Sequence, residues 1–159
     1  MDYGMLARQV RGLCDGDVYW VGALANVSAL IMESLPDLIW AGFYLTTGLV
    51  APSAGRNELV LGPFQGRVAC TRIPWGRGVC GTAAARDETL VVEDVHAFPG
   101  HIACDSASAS EVVVPLHAGG AVAGVLDLDS QLLGRFTDED AEGLEAVVAA
   151  IESAGILEL

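Results

Sequence analysis

Apolar residues recur at three- and four-residue spacing over 3–14 and again over about 18–35, which predicts two amphipathic helices. Pro36-Asp37 breaks the second pattern. Residues 38–45 form an aromatic, β-prone run and read as a strand. A Gly/Pro/Ser/Asn-rich connection follows, from Thr46 to Asn57. Residues 58–64 and 67–72 read as two short strands about a tight turn at Gln65-Gly66. Glycines between Gly76 and Gly81 lead into Ala83-Ala84-Ala85, which favours a helix. Residues 89–92 predict a short strand, and Asp94 to Ser110 a long loop, a length that tends to be functional in compact domains. Residues 111–117 and 121–128 predict a hairpin across Ala118-Gly119-Gly120. Thr137-Asp138-Glu139-Asp140 supplies an N-cap and first-turn acids for a last helix to about Glu152. Its residues Leu144, Val147, Val148 and Ile151 share one face. This order predicts an α+β fold, an antiparallel sheet with helices packed on it.

Composition narrows the class. The 159 residues fit one domain spanning 1–159. With 52% hydrophobic residues, disorder is not expected. The apolar stretch from Val21 to Met32 is short of the about 20 residues a membrane span needs. No basic region leads into an apolar stretch at the N-terminus, so a cytoplasmic setting with reduced thiols is expected. A net charge of −13, with every base an arginine, disfavours a nucleic-acid partner.

Four cysteines are the first candidates for chemistry: Cys14, Cys70, Cys80 and Cys104. Cys104 lies between His101 and Asp105 in the long loop, where a nearby cation would favour its thiolate. Its alternative is a small buried hydrophobe. Cys80 is expected near a helix N-terminus, which would stabilise a thiolate, or would merely fill a tight helix entry. Cys70 reads as a strand residue and, taken alone, as core. Cys14 closes the first helix and receives no role. His96, His101 and Cys104 are too few, at non-standard spacing, for a zinc site. Ordering the loop or tuning a pKa suits these histidines better.

Asp127 and Asp129, two apart on a strand, point to one face, and the hairpin sets Glu111's strand beside theirs. Apolar neighbours Val125, Leu126 and Leu128 argue against a solvated strand end. Clustered carboxylates of this kind suit an ammonium ligand. Trp40 and Tyr44 share a strand face opposite Phe43. They are either core or a wall for a sulfur-bearing group, because sulfur packs well against rings.

Several stretches together resemble the free methionine-R-sulfoxide reductase family, whose members are stand-alone GAF domains. They are WAGFYL at 40–45, LVLGPFQG at 59–66, Ala69-Cys70, GVCGTA at 78–83, DVHAFPGHIACDSAS at 94–108, SEVVVPL at 110–116 and GVLDLDS at 124–130. The second helix diverges, Ile39 stands where Asn is expected, and Trp75 where Phe is usual. The resemblance implies Cys104 as nucleophile, with Cys70 and Cys80 as further catalytic cysteines. One of these two resolves the oxidised nucleophile, and Cys70 is favoured. It implies Glu111, Asp127 and Asp129 as substrate-binding acids and Trp40 and Tyr44 as the pocket wall. The implied activity is reduction of free methionine-R-sulfoxide through a sulfenic acid and an intramolecular disulfide. Thioredoxin or another dithiol would recycle the enzyme; no bound cofactor is expected, and a homodimer is suggested. The alternatives are a non-catalytic GAF module that binds a small molecule, and a thiol sensor whose own disulfide is the signal.

Overall fold

The computed structural model describes residues 1–50, 57–103 and 106–159. The chain runs through α1 (Tyr3–Leu13), α2 (Trp20–Ser34), β1 (Trp40–Thr46), α3 (Thr47–Val50), β2 (Glu58–Gly66), β3 (Arg72–Pro74), α4 (Gly78–Arg86), β4 (Leu90–Val92), a 3-10 turn at Val95–Ala97, β5 (Ser110–Ala118), β6 (Ala121–Ser130) and α5 (Asp138–Ser153). The strands form one antiparallel sheet in the order β3-β2-β1-β6-β5-β4.

Strand alternation divides the interior into two apolar layers. Ala41, Phe43, Leu45, Val112, Val114, Leu116, Leu126 and Leu128 face α1, α2 and α5. Trp40, Tyr44, Leu59, Val113 and Val125 face the opposite way, toward Val79, Cys80, Ala83 and Ala84 of α4. The predicted face of α5 is buried on the first layer. A capping box starts that helix: Asp140 N–H donates to Thr137 Oγ1 at 3.2 Å, and Thr137 N–H donates to Asp140 Oδ2 at 2.9 Å. Asp2 caps α1 by accepting from Met5 N–H at 2.9 Å.

The expected tight turn at Gln65-Gly66 is not formed. β2 continues through Gly66, which pairs with Trp40 of β1. Gly66 has φ +129°, and a Cβ there would stand 2.5 Å from the Ile39 carbonyl oxygen. This glycine therefore serves a close strand approach rather than a reversal. The expected strand over 67–72 is instead a loop through residue 71, with β3 beginning at Arg72. Cys70 is accordingly a loop residue.

α5 is tied to the far side of the sheet through His117 on β5. Its Nδ1 lies 2.8 Å from Glu152 Oε1 and its Nε2 2.7 Å from Asp87 Oδ1. Burial opposes the charged ring, but hydrogen bonds to Glu152 and Asp87 outweigh it and raise the pKa above the usual imidazole value. A raised folded-state pKa stabilises the fold fully below the unfolded value of about 6.5 and loses that contribution as pH rises through the folded value. The groups are partly exposed, so the contribution is under about 1 kcal/mol. Thermal melts should show a His117→Gln variant losing a pH-dependent component of roughly 1–3 °C across that interval. Identical pH dependence in variant and parent would refute the linkage.

Candidate active site

The second layer opens into a cleft of about 580 Å³, counting the solvent at its mouth. Its floor is the sheet and one wall is the start of α4. Alternation on β5 and β6 places Glu111, Asp127 and Asp129 on this floor, and the register sets Glu111 opposite Asp129. The predicted grouping of the three acids is therefore present. Glu111 and Asp127 are buried, at 6% and 4% exposure, which rules out a solvated strand end. Asp129 accepts a hydrogen bond from Ser108 Oγ at 2.8 Å.

The electrostatics are strained in one direction. Asp127 is pushed well above the usual carboxylate range, first by burial and then by the charges of Asp129 and Glu111. Burial raises Glu111 as well. Asp127 Oδ1 is buried without a hydrogen-bond partner. Two neighbouring buried carboxyls disfavour each other's ionisation.

Trp40 and Tyr44 form the predicted wall. Their rings stack with centroids 5.7 Å apart, and Phe64 of β2 adds a third ring 5.2 Å from Trp40. Gly42 lies between them on β1, opposite Asp127 on β6 and Phe64 on β2. A Cβ at Gly42 would stand 2.3 Å from Phe64 Cβ and 2.9 Å from Trp40 Cη2, so the stack requires its absence. Phe64 backs the wall through its stack on Trp40, a contact that the sequence pattern does not single out. Ser108 likewise escapes notice there, as one serine among several in the long loop.

The same aromatics hold the loop after β2. Trp40 Nε1–H donates to the Arg67 carbonyl at 3.1 Å, and Tyr44 O–H donates to the Cys70 carbonyl at 3.0 Å. Burial, with the charges of Asp127 and Cys80 next, raises the Tyr44 pKa and keeps that hydroxyl a donor. Val68 and Ala69 thereby line the cleft, and Cys70 sits beside it.

The cysteines differ sharply. Cys70 is disulfide-bonded. Cys14 and Cys80 are free and buried. Cys80 is on the first turn of α4, as expected, and donates its thiol to Glu111 Oε1 at 3.6 Å. Of the two readings of Cys80, a stabilised thiolate is disfavoured. Burial, followed by the charges of Asp127 and Glu111, pushes the Cys80 pKa well up, outweighing the helix terminus. Cys104 lies outside the described residues. His101 and Ile102 reach the cleft, and Ile102 packs against Gly78 at the start of α4. Burial and nearby His96 lower the His101 pKa, leaving it neutral at pH 7. His96 is turned to Asp94, with Nδ1 3.2 Å from Oδ1. Ile39, where the family pattern suggests Asn, also lines the cleft.

Comparison with known proteins identifies the family and the fold. The GAF domain family model matches residues 6–154. A free methionine-R-sulfoxide reductase of Escherichia coli is 53% identical over 150 residues, 94% of this chain and 86% of the relative. Its Saccharomyces cerevisiae namesake is 46% identical over 146 residues, 89% and 78% of the two chains. The crystal structure of the Neisseria meningitidis free methionine-R-sulfoxide reductase in complex with its substrate superposes with a TM-score of 0.87 at 44% identity, covering 98% of this chain and 89% of that one. The chain belongs to the free methionine-R-sulfoxide reductase family and carries its GAF fold.

Proposed function

We propose that this chain is an oxidoreductase that converts free L-methionine-R-sulfoxide to L-methionine, with Cys104 as the attacking thiol and Cys70 as the resolving one. The observation that carries the reading is the cleft itself: three acids beneath a stacked aromatic wall, beside the loop of a disulfide-bonded cysteine. The wall suits the methyl-bearing sulfur, since sulfur packs favourably against rings. Asp129 holds the substrate ammonium. In a peptide that nitrogen is an uncharged amide, so the site selects the free amino acid. The Asp127–Glu111 pair, whose burial favours the protonated form, gives a proton to the sulfoxide oxygen.

The electrons balance in three steps. Cys104 thiolate attacks the sulfoxide sulfur, whose oxygen takes the proton; the oxygen then passes to the Cys104 sulfur as the transient sulfur–sulfur bond breaks, leaving sulfenic acid on Cys104 and releasing methionine with the electron pair on its sulfur. Cys70 thiolate attacks that sulfur, forming a disulfide and releasing water. An external dithiol, thioredoxin in this reading, reduces the disulfide by exchange and becomes oxidised itself. Such a cycle fits a cytoplasmic setting, where dithiol reductants are maintained. The free state of Cys80 and its raised pKa support Cys70 over Cys80 as the resolving thiol.

The test is a coupled assay with racemic methionine sulfoxide, thioredoxin, its reductase and NADPH. The expected result is NADPH loss that stops at half the racemate, with peptide-bound sulfoxide untouched. No consumption with that system or with dithiothreitol would reject the reading.

A further inference from the structure

We propose that Cys80, Glu111 and Asp127 form a three-donor site for a thiophilic divalent cation, Zn²⁺ foremost, on the floor of the cleft. The three side chains each place a donor atom within 4.8 Å of the other two. A tetrahedral zinc with one sulfur at about 2.3 Å and one oxygen at about 2.1 Å holds those two donors about 3.6 Å apart. The Cys80 Sγ to Glu111 Oε1 separation is 3.6 Å. Asp127 supplies the third donor through a carboxylate oxygen, and its Oδ1 is buried without a hydrogen-bond partner. The cleft leaves the fourth position open, the arrangement of three protein ligands plus an exchangeable one.

The charges favour a cation. Two buried carboxyls repel, and a divalent ion between them removes the repulsion while displacing the carboxyl and thiol protons. The thiolate then decides among metals: sulfur selects Zn²⁺ over Mg²⁺ or Ca²⁺, which prefer all-oxygen sites. Because protons are released, affinity rises with pH. Occupancy would also block the acids that the reductase reading gives to substrate. That inhibitory consequence rests on that reading, whereas metal binding does not.

The experiment uses the full chain in its disulfide form, with Cys70 bonded and Cys80 free, so that the redox thiols cannot ligate. Calorimetric titration with Zn²⁺ should show one ion per chain, with excess Mg²⁺ present to occupy weak surface acids. Co²⁺ in its place should give a thiolate-to-cobalt charge-transfer band. Cys80→Ser should lose the band and weaken Zn²⁺ binding at least about 100-fold, since even outer partners of a metal site cost 10–100-fold. Asp127→Asn should weaken binding while leaving Cys80 intact, and melting curves would confirm that both variants fold. Absence of stoichiometric Zn²⁺ binding, or binding unchanged in Cys80→Ser, would overturn the site. Either result leaves the reductase assay to be judged separately.

Discussion

A Cys104→Ser variant is expected to release no methionine, even in a single turnover with enzyme in excess over the sulfoxide. Serine's hydroxyl is a poor nucleophile without a paired base, and a serine oxygen cannot accept oxygen from the sulfoxide as sulfur does. Loss of a nucleophile that acts as one unit with its partners is near-total, at least about 10⁴-fold here. Cys70→Ser should behave differently. In the absence of added dithiol it should release about one methionine per chain and then stop, because sulfenic acid forms on Cys104 but finds no resolving thiol. Quenched-flow quantification of methionine separates the two, with a sulfenic-acid-reactive probe reporting on Cys104. One full equivalent of methionine from Cys104→Ser would remove it as the nucleophile.

Asp127→Asn should make the protein more stable and less active together. Asp127 is buried, faces two other acids and has an orphaned oxygen, so its charged form is a cost to the fold. Its folded pKa is raised above the unfolded value of about 3.9. Its contribution to stability is therefore fully present below about pH 4 and lost as pH rises through the folded value. Asparagine removes that loss, a gain of about 1–3 kcal/mol at neutral pH. The gain appears as several degrees in the melting temperature and vanishes in acid. The same change removes the proton donor proposed for the sulfoxide oxygen, which should lower kcat/KM about 100-fold or more. Thermal melts at pH 4 and pH 7 beside steady-state kinetics check both halves. A variant destabilised at pH 7, or fully active, would contradict the assignment.

Much of this architecture is readable from the chain because two signals are strong. The β-prone runs 111–117 and 121–128 predict a hairpin, the two-residue spacing of Asp127 and Asp129 sets those acids on one face, and the register of β5 and β6 places Glu111 opposite Asp129. The Thr137 cap and the Leu144/Val147/Val148/Ile151 stripe mark α5 in the same way. The failures have local causes. Gln65-Gly66 carries turn residues, yet Gly66 is needed where β2 crosses close to Ile39 and Trp40, and the propensity signal does not distinguish these uses. The loop holding Cys70 is fixed by hydrogen bonds from Trp40 and Tyr44, contacts between residues 26–27 positions apart. No local pattern encodes those contacts. The position of Cys80 at a helix start is legible, but its pKa is not. The desolvating α4–sheet packing and the facing acids come from distant parts of the chain.

The ends of the sheet bear on how this apolar chain limits pairing with its neighbours. Mean hydropathy is +0.45, and a long open strand on such a molecule would invite pairing with a neighbour's backbone. Both outermost strands, β3 and β4, are only three residues long. β3 carries an exposed arginine and ends in a proline, which has no N–H to donate, and β4 runs directly into Glu93 and Asp94. The net charge of −13 adds mutual repulsion between copies. Lengthening either edge with uncharged β-branched residues would create the aggregation nucleus that the native chain lacks there.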